Sequence, residues 1–288
     1  MRDYVIMTDS GCDISAELLE KWGVPCADLT VKFDNDSKEY LSREMPNAEF
    51  YRRMRAGDVA KTSAVNVDAF KAMYEEILAQ GKDILYIGFS TGLSNTANAG
   101  AIAAKEVEAN HPGSKIIAID TLSGSAGVAI TIYMTMLEKN KGASIEEAAE
   151  FARKNMVTVS QYFTVDDLVY LKRGGRISPA AYFAATLLGI RPIMRVDEEG
   201  KLESTAKVRG RKAALKALAD KYTELAADPK TSTFIITQAG CYGDAKLLDN
   251  MIYAQHGHHA TVISEMSPVI GAHAGPGTCA IFFDGKHR

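Results

Sequence analysis

The sequence predicts an α/β protein of two domains, and three observations support that fold class. Short apolar runs in the first half each end in a cluster of small polar residues and are followed by a helical pattern. The second half begins with an alternating run and contains an expected hairpin. The pattern changes near residue 156. We therefore expect an N-terminal Rossmann-like parallel sheet with flanking helices at 1–160 and a C-terminal α/β domain with a mixed sheet at 161–288.

The first half repeats the order of strand, polar cluster and helix. Strands are expected at 4–7, 25–33, 84–87 and 115–120, and helices at 15–21, 46–55, 67–79, 97–108, 128–138 and 144–155. The carboxyl ends of parallel strands lie along one edge of a sheet. We therefore expect the polar clusters after Met7, Phe89 and Asp120 to converge on a single crevice.

The second half is expected to form a mixed sheet. Strands are predicted at 156–163, 191–196, 201–206, 233–237, 260–264 and 279–284, and helices at 165–171, 180–188, 209–226 and 242–255. A turn at 197–200 joins two of these strands as a hairpin, which requires an antiparallel pair.

Composition limits the possible functions of this 288-residue chain. Its hydrophobic fraction of 47% and charged fraction of 24% are those of an ordinary globular protein. A net charge of −3 argues against binding nucleic acid or anionic membranes. Its four cysteines form no C-x-x-C motif, and we interpret them as reduced thiols. The N-terminal segment does not resemble a secretion signal. We therefore expect a cytoplasmic location. The longest apolar stretch, 180–190, is too short for stable membrane insertion.

The polar segment at 88–98 is the strongest candidate for a ligand site. It lies between an expected strand and the start of an expected helix, where free N–H groups and the helix dipole attract anions. Hydroxyl and amide side chains that could bind such a ligand are Ser90, Thr91, Ser94, Asn95 and Thr96. We expect a carboxylate or a phosphate here.

The same segment allows an alternative function, a serine esterase. Residues 88–92, GFSTG, match the G-x-S-x-G pattern that places a nucleophile between a strand and a helix. Ser90 would then be the nucleophile and His273 its base, with Asp120 or Asp244 to orient the histidine. The prolonged polar turn after Gly92 and the lack of an HGGG-type stretch argue against this reading.

Several stretches together resemble the DegV family of fatty-acid-binding proteins. They are Thr8-Asp9-Ser10 with Asp13, Lys61-Thr62-Ser63, 90–96 (STGLSNT), 170–178 (YLKRGGRIS) and 273–277 (HAGPG). They occur in family order and span nearly the whole chain. The resemblance implies a two-domain α/β protein that binds one long-chain fatty acid and needs no metal or other cofactor.

The resemblance also implies the residues that bind the acyl carboxylate. Thr62, Ser94 and His273 match the polar group around that carboxylate, with the Asn95 backbone and Ser63 nearby. Two hydroxyl donors and an imidazole suit a carboxylate, although His273 alone would be interpreted as a loop histidine. The chain departs from the family at 64–65, where Ala-Val replaces the usual Gln-Pro. This departure weakens the assignment of Ser63 to the carboxylate site but leaves that of Thr62 in place.

The remaining predictions concern the binding of the acyl tail and a protein partner. The apolar segment 180–190 is the candidate wall of a tunnel for the tail, with an ordinary buried helix as the alternative. The resemblance implies a separate kinase that phosphorylates the carboxylate. Basic side chains that could meet this partner or the phosphate, or that are simply solvated charges, are Arg173, Arg176, Arg209 and Arg211. Three histidines at 256–259 lack a matching carboxylate or cysteine, so no metal is expected.

Overall fold

The computed structural model describes residues 2–180, 182 and 189–288. Its strands are β1 (Tyr4–Asp9), β2 (Cys26–Ala27), β3 (Thr30–Phe33), β4 (Tyr40–Leu41), β5 (Ala60–Ser63), β6 (Asp83–Gly88), β7 (Ile116–Asp120), β8 (Val159–Thr164), β9 (Ile190–Val196), β10 (Leu202–Arg209), β11 (Phe234–Gln238), β12 (Val262–Glu265) and β13 (Cys279–Asp284). Its helices are α1 (Ala16–Trp22), α2 (Asn47–Arg55), α3 (Val67–Ala79), α4 (Thr96–Asn110), α5 (Ala126–Asn140), α6 (Ile145–Met156), α7 (Val169–Arg173), α8 (Arg211–Leu225), α9 (Tyr242–His256) and α10 (Pro268–Ala274).

The first half contains the expected parallel sheet, with strand order β2-β1-β6-β7. All three strand pairs are parallel. The central strand β6 is buried over its whole length, as expected for a strand covered by helices on both faces. Its alternate side chains belong to two cores: Ile84 and Tyr86 pack into one, Leu85 and Ile87 into the other. The α/β prediction is therefore confirmed.

The second half contains a six-stranded sheet with the order β10-β9-β8-β13-β11-β12. Only β11 and β12 pair in parallel, and the other neighbours are antiparallel, so the predicted mixed sheet is confirmed. The boundary between 160 and 161 stays a prediction, although β8 already belongs to this sheet. The helix predicted at 180–188 lies largely outside the described residues.

A small third sheet, with the order β4-β3-β5, was not predicted. The strand expected at 25–33 is divided into β2, which pairs with β1, and β3, which pairs antiparallel with β4 and β5. Val31 and Phe33 of β3 are buried, whereas Lys32 between them is exposed. Strand β5 contains Thr62, where the sequence indicated only a turn.

The end of the chain packs back onto the first half. The Oη of Tyr51, on α2, donates a 2.9 Å hydrogen bond to the carbonyl of Met266, just before α10. The carboxylate of Asp13 accepts the Ser125 hydroxyl and, at 2.8 Å, the backbone N–H of Ser267, which is the N-cap of α10. These contacts place α10 beside the first half. None of the helices in the described ranges is long and apolar enough to cross a bilayer.

Candidate functional site

A cavity of about 160 Å³ lies where the two halves meet. Its wall combines β5, the loops after β6 and β7, one face of the six-stranded sheet and α10. Most of that wall is apolar, including Phe89, Leu93, Phe163, Leu171, Val196 and Phe282. Because β6 and β7 are parallel, the loops that follow them lie at the same edge of their sheet. The convergence of these two loops agrees with the sequence prediction, whereas the third predicted cluster, after Met7, has no residue among the described residues of the wall.

Thr62 and His273 form the polar pair at one part of this wall. The Oγ1 of Thr62 and the Nε2 of His273 are 2.8 Å apart, and both residues line the cavity. Burial and the nearby Arg176 guanidinium lower the pKa of His273 to about 4, so its imidazole is neutral at pH 7. The other ring nitrogen, Nδ1, is buried without a hydrogen-bond partner. His273 lies on a helix, which corrects its interpretation as a loop histidine.

Ser94 and Asn95 bring the start of α4 to the cavity. Both residues line it, and Asn95 is the N-cap of α4 but makes no capping hydrogen bond with its side chain. The hydroxyls of Ser94 and Thr96 are 2.9 Å apart. The positive end of a four-turn helix therefore faces a cavity whose wall also carries the Ser94 and Thr62 hydroxyls. The structure brings Thr62, Ser94, Asn95 and His273 to one cavity, and their binding of a carboxylate stays a prediction.

Ser63 does not join this group. Its side chain is exposed and its Oγ donates a 3.1 Å hydrogen bond to the Glu39 carboxylate. Neighbouring residues of a strand point to opposite faces, so β5 cannot direct both Thr62 and Ser63 into the cavity. The structure thus corrects the placement of Ser63 near the expected carboxylate.

Arg176 lines the cavity instead of extending into solvent. Its Nε and Nη2 donate hydrogen bonds of 3.0 and 2.7 Å to the carbonyl of Leu93, and Nη1 donates to the carbonyl of Gly174. A guanidinium has five N–H donors, so these three hydrogen bonds leave two for another acceptor. Burial lowers the pKa of Arg176, yet the group stays charged. It is the only charged side chain among the described residues of the wall.

The other predicted arginines lie in different surroundings. Arg173 is exposed, with its guanidinium 5.7 Å from the centre of the Tyr170 ring. Arg209 is exposed at the end of β10. Arg211 begins α8 and donates a 2.9 Å hydrogen bond to Asp244, so this arginine belongs to an ion pair. None of these three lines the cavity.

The esterase arrangement does not fit the described structure. Ser90 has no exposed surface, and its Oγ donates to the Gly200 carbonyl at 2.8 Å and accepts from the Gly92 N–H at 3.0 Å. His273 pairs with Thr62 instead. An activated serine needs a base within hydrogen-bonding reach and access to its substrate.

The two candidate orienting carboxylates are also engaged elsewhere. Asp120 accepts the Thr91 hydroxyl, and Asp244 pairs with Arg211. The three histidines of the 256–259 segment make separate hydrogen bonds: His256 to Thr223, His258 to the Pro229 carbonyl and His259 to Asp249. In the described ranges no three metal-ligating side chains cluster together.

Comparison with known proteins identifies the family. The family model described as DegV, an uncharacterised protein family, matches residues 3–286. A DegV domain-containing protein of Clostridium perfringens is 35% identical over 291 residues, which cover 100% of this chain and 99% of the relative. A fatty acid-binding protein of Thermotoga maritima is 31% identical over 278 residues, covering 95% of this chain and 94% of that protein.

Solved structures agree with this assignment. A DegV lipid-binding protein of Thermotoga maritima has a TM-score of 0.86 at 28% identity, covering 99% of both chains. A DegV family protein of Thermus thermophilus, described by its fatty acid binding, has a TM-score of 0.88 at 27% identity, covering 99% of this chain and 100% of its own. Both the sequence and the fold therefore match over essentially their whole length, and the chain belongs to the DegV family.

Proposed function

We propose that this protein binds one long-chain fatty acid in the cavity and acts as a carrier, with no catalysis of its own. The observation that carries the proposal is the composition of the wall: polar groups of β5, of the start of α4 and of α10 line it together with a majority of apolar side chains. A fatty acid has the same combination of a polar carboxylate and an apolar tail. Relatives named for fatty acid binding in Thermotoga maritima and Thermus thermophilus support this reading.

The carboxylate would accept hydrogen bonds from the Thr62 and Ser94 hydroxyls and from the Asn95 backbone at the start of α4. The neutral imidazole of His273 can donate from Nε2 to the Thr62 oxygen, which leaves the Thr62 proton for the ligand. Arg176 would supply the positive charge, since two of its N–H groups are not used by carbonyls. We leave Ser63 out of this set because its hydroxyl contacts Glu39.

The tail would provide most of the affinity. Roughly 15 methylenes at about 0.8 kcal/mol each give on the order of 12 kcal/mol before the costs of ordering are subtracted. A hydrogen bond to a charged group contributes about 1.5–3 kcal/mol. The polar groups therefore set mainly which end of the ligand lies where, and the apolar wall sets how tightly it is held.

The carrier would present the carboxylate to a separate fatty acid kinase. Asn95 and Ala64 line the cavity and are also exposed, so the polar part of the wall is close to the surface. Arg173 and Arg209 are exposed and available to a partner or to the transferred phosphate, whereas Arg176 and Arg211 would act from within the fold. We place the carrier in the cytoplasm, where its four free cysteines would stay reduced.

Mass spectrometry tests the binding proposal directly. Protein purified from cells should release a long-chain fatty acid on denaturing extraction, and delipidated protein should take up added oleate at one molecule per chain in a native mass spectrum. Repeated absence of both would contradict the proposal. Hydrolysis of a p-nitrophenyl ester that disappears in Ser90→Ala would instead favour the esterase.

The kinase step needs its own assay. ATP-dependent phosphorylation of the bound acid by a fatty acid kinase should show a higher KM for the carrier in Arg173→Ala and Arg209→Ala. Arg153→Ala is the matched control, because Arg153 is an exposed arginine on α6 that does not line the cavity. An equal effect in all three variants would argue against a specific basic contact.

A further inference from the structure

Gly124, in the loop between β7 and α5, forms part of the cavity wall. A β-carbon at this position would lie 3.1 Å from Cε2 of Phe89 and 3.3 Å from Cδ1 of Leu93. Both side chains also line the cavity. Such distances are shorter than ordinary van der Waals contact, so a methyl group at 124 would require one of these side chains to move.

The Phe89 ring also packs closely against a second glycine, Gly11. A β-carbon at Gly11 would likewise be only 2.7 Å from the Phe89 Cγ. A side chain at either glycine would therefore displace the ring. Its own backbone is also held, because the Phe89 N–H donates a 2.9 Å hydrogen bond to the buried carboxylate of Asp9.

Hydrogen bonds hold the Gly124 backbone in place. Its N–H donates a 3.0 Å hydrogen bond to the side chain of Gln161, which is only 1% exposed. The Gln161 amide donates in turn to the Ser123 hydroxyl at 3.0 Å. On the other side, the Ser125 N–H donates to the Gly11 carbonyl at 2.9 Å. Three consecutive residues of the loop are thus fixed from both halves of the protein.

We propose that Gly124 determines the class of acyl chain that the cavity accepts. This inference rests on the proposed function. A cis double bond bends an acyl chain and increases the width that it needs, whereas a straight saturated chain is narrow. The absent side chain at 124 keeps the cavity wide enough for the bent chain. A methyl group there would take up space beside Phe89 and Leu93, narrow the cavity and exclude cis-unsaturated acids more strongly than saturated ones.

Competition between two acids of equal length tests the proposal. Delipidated protein is mixed with equal amounts of stearate and oleate, and the bound ratio is measured by native mass spectrometry. Gly124→Ala should lower the ratio of oleate to stearate roughly tenfold relative to the wild type, the scale on which a pocket discriminates one methylene. Leu93→Ala, which widens the same wall, should change the ratio in the opposite direction.

A matched control is Gly243→Ala, because Gly243 is an exposed glycine on α9 with no atom within 4 Å of its β-carbon position. It should keep the wild-type ratio. The proposal is overturned if Gly124→Ala keeps that ratio, or if it loses both acids equally while its thermal unfolding is unchanged. Should Gly124→Ala fail to fold, an unchanged ratio in Leu93→Ala overturns it. If the wild type binds neither acid, the proposed function fails instead.

Discussion

Thr62→Val is the sharpest test of the polar group, because it removes one hydroxyl and nearly preserves the shape of the side chain. In the wild type this hydroxyl lies 2.8 Å from Nε2 of His273. The Nδ1 atom of the same ring is already buried without a partner. After the substitution, the imidazole would have no described hydrogen bond on either nitrogen.

The expected magnitude has two parts. A buried polar group left without a partner costs about 1–3 kcal/mol, so the ligand-free variant should be destabilised by about that amount. The bound carboxylate would also lose one hydrogen bond, and a loss of about 2 kcal/mol corresponds to roughly 30-fold weaker binding. Binding should persist at that lower affinity, because the apolar tail still contributes the larger share.

Two measurements check this reasoning: a titration of delipidated protein with oleate, and urea denaturation without ligand. Thr62→Ser keeps a hydroxyl and should retain most of the affinity. Ser63→Ala is the matched control on the opposite face of β5, and it should leave oleate binding unchanged because Ser63 contacts Glu39. If Ser63→Ala weakens binding as much as Thr62→Val, or if Thr62→Val has no effect, the proposed carboxylate site is refuted.

Three further predictions concern charge and pH. The pKa of His273 is lowered by burial and by Arg176 from 6.5 to about 4, so its contribution to stability is present above pH 6.5 and is lost as the pH falls towards 4. Between pH 7 and pH 4.5 the free energy of unfolding of the wild type, measured by urea denaturation, should fall by an amount on the order of 3 kcal/mol because of His273. His273→Gln should abolish this loss, and an equal loss in both proteins would contradict the assignment. Burial raises the pKa of Asp13 from 3.8 to about 6, so this carboxyl favours the folded state more as the pH falls through 6. The stability of Asp13→Asn relative to the wild type should therefore rise by roughly 3 kcal/mol between pH 4 and pH 7, and a difference that does not depend on pH would argue against this account. Arg176→Lys keeps the charge but loses the paired donation to the Leu93 carbonyl, and should weaken oleate binding about tenfold in a titration, whereas Arg173→Lys should bind oleate as the wild type does.

The order of elements along the chain was predictable because it depends on local patterns. The apolar run at 84–87 and the polar residues after it identify a buried strand and the start of a helix without reference to any distant residue. The parallel sheet and the mixed sheet follow from how such runs alternate with helices and hairpins. The same local pattern singled out Ser94 and Asn95, which line the cavity.

What the sequence by itself determined is therefore the set of strands, helices and polar loops, whereas only the tertiary structure decided which side chains share the cavity. Thr62 and His273 are 211 positions apart and meet because α10 packs back onto the first half. Ser90 matches a catalytic motif but is covered by Gly200, 110 positions away. Arg176 turns inwards to the Leu93 carbonyl. Such contacts depend on the packing of distant segments, which a local pattern of residues does not encode.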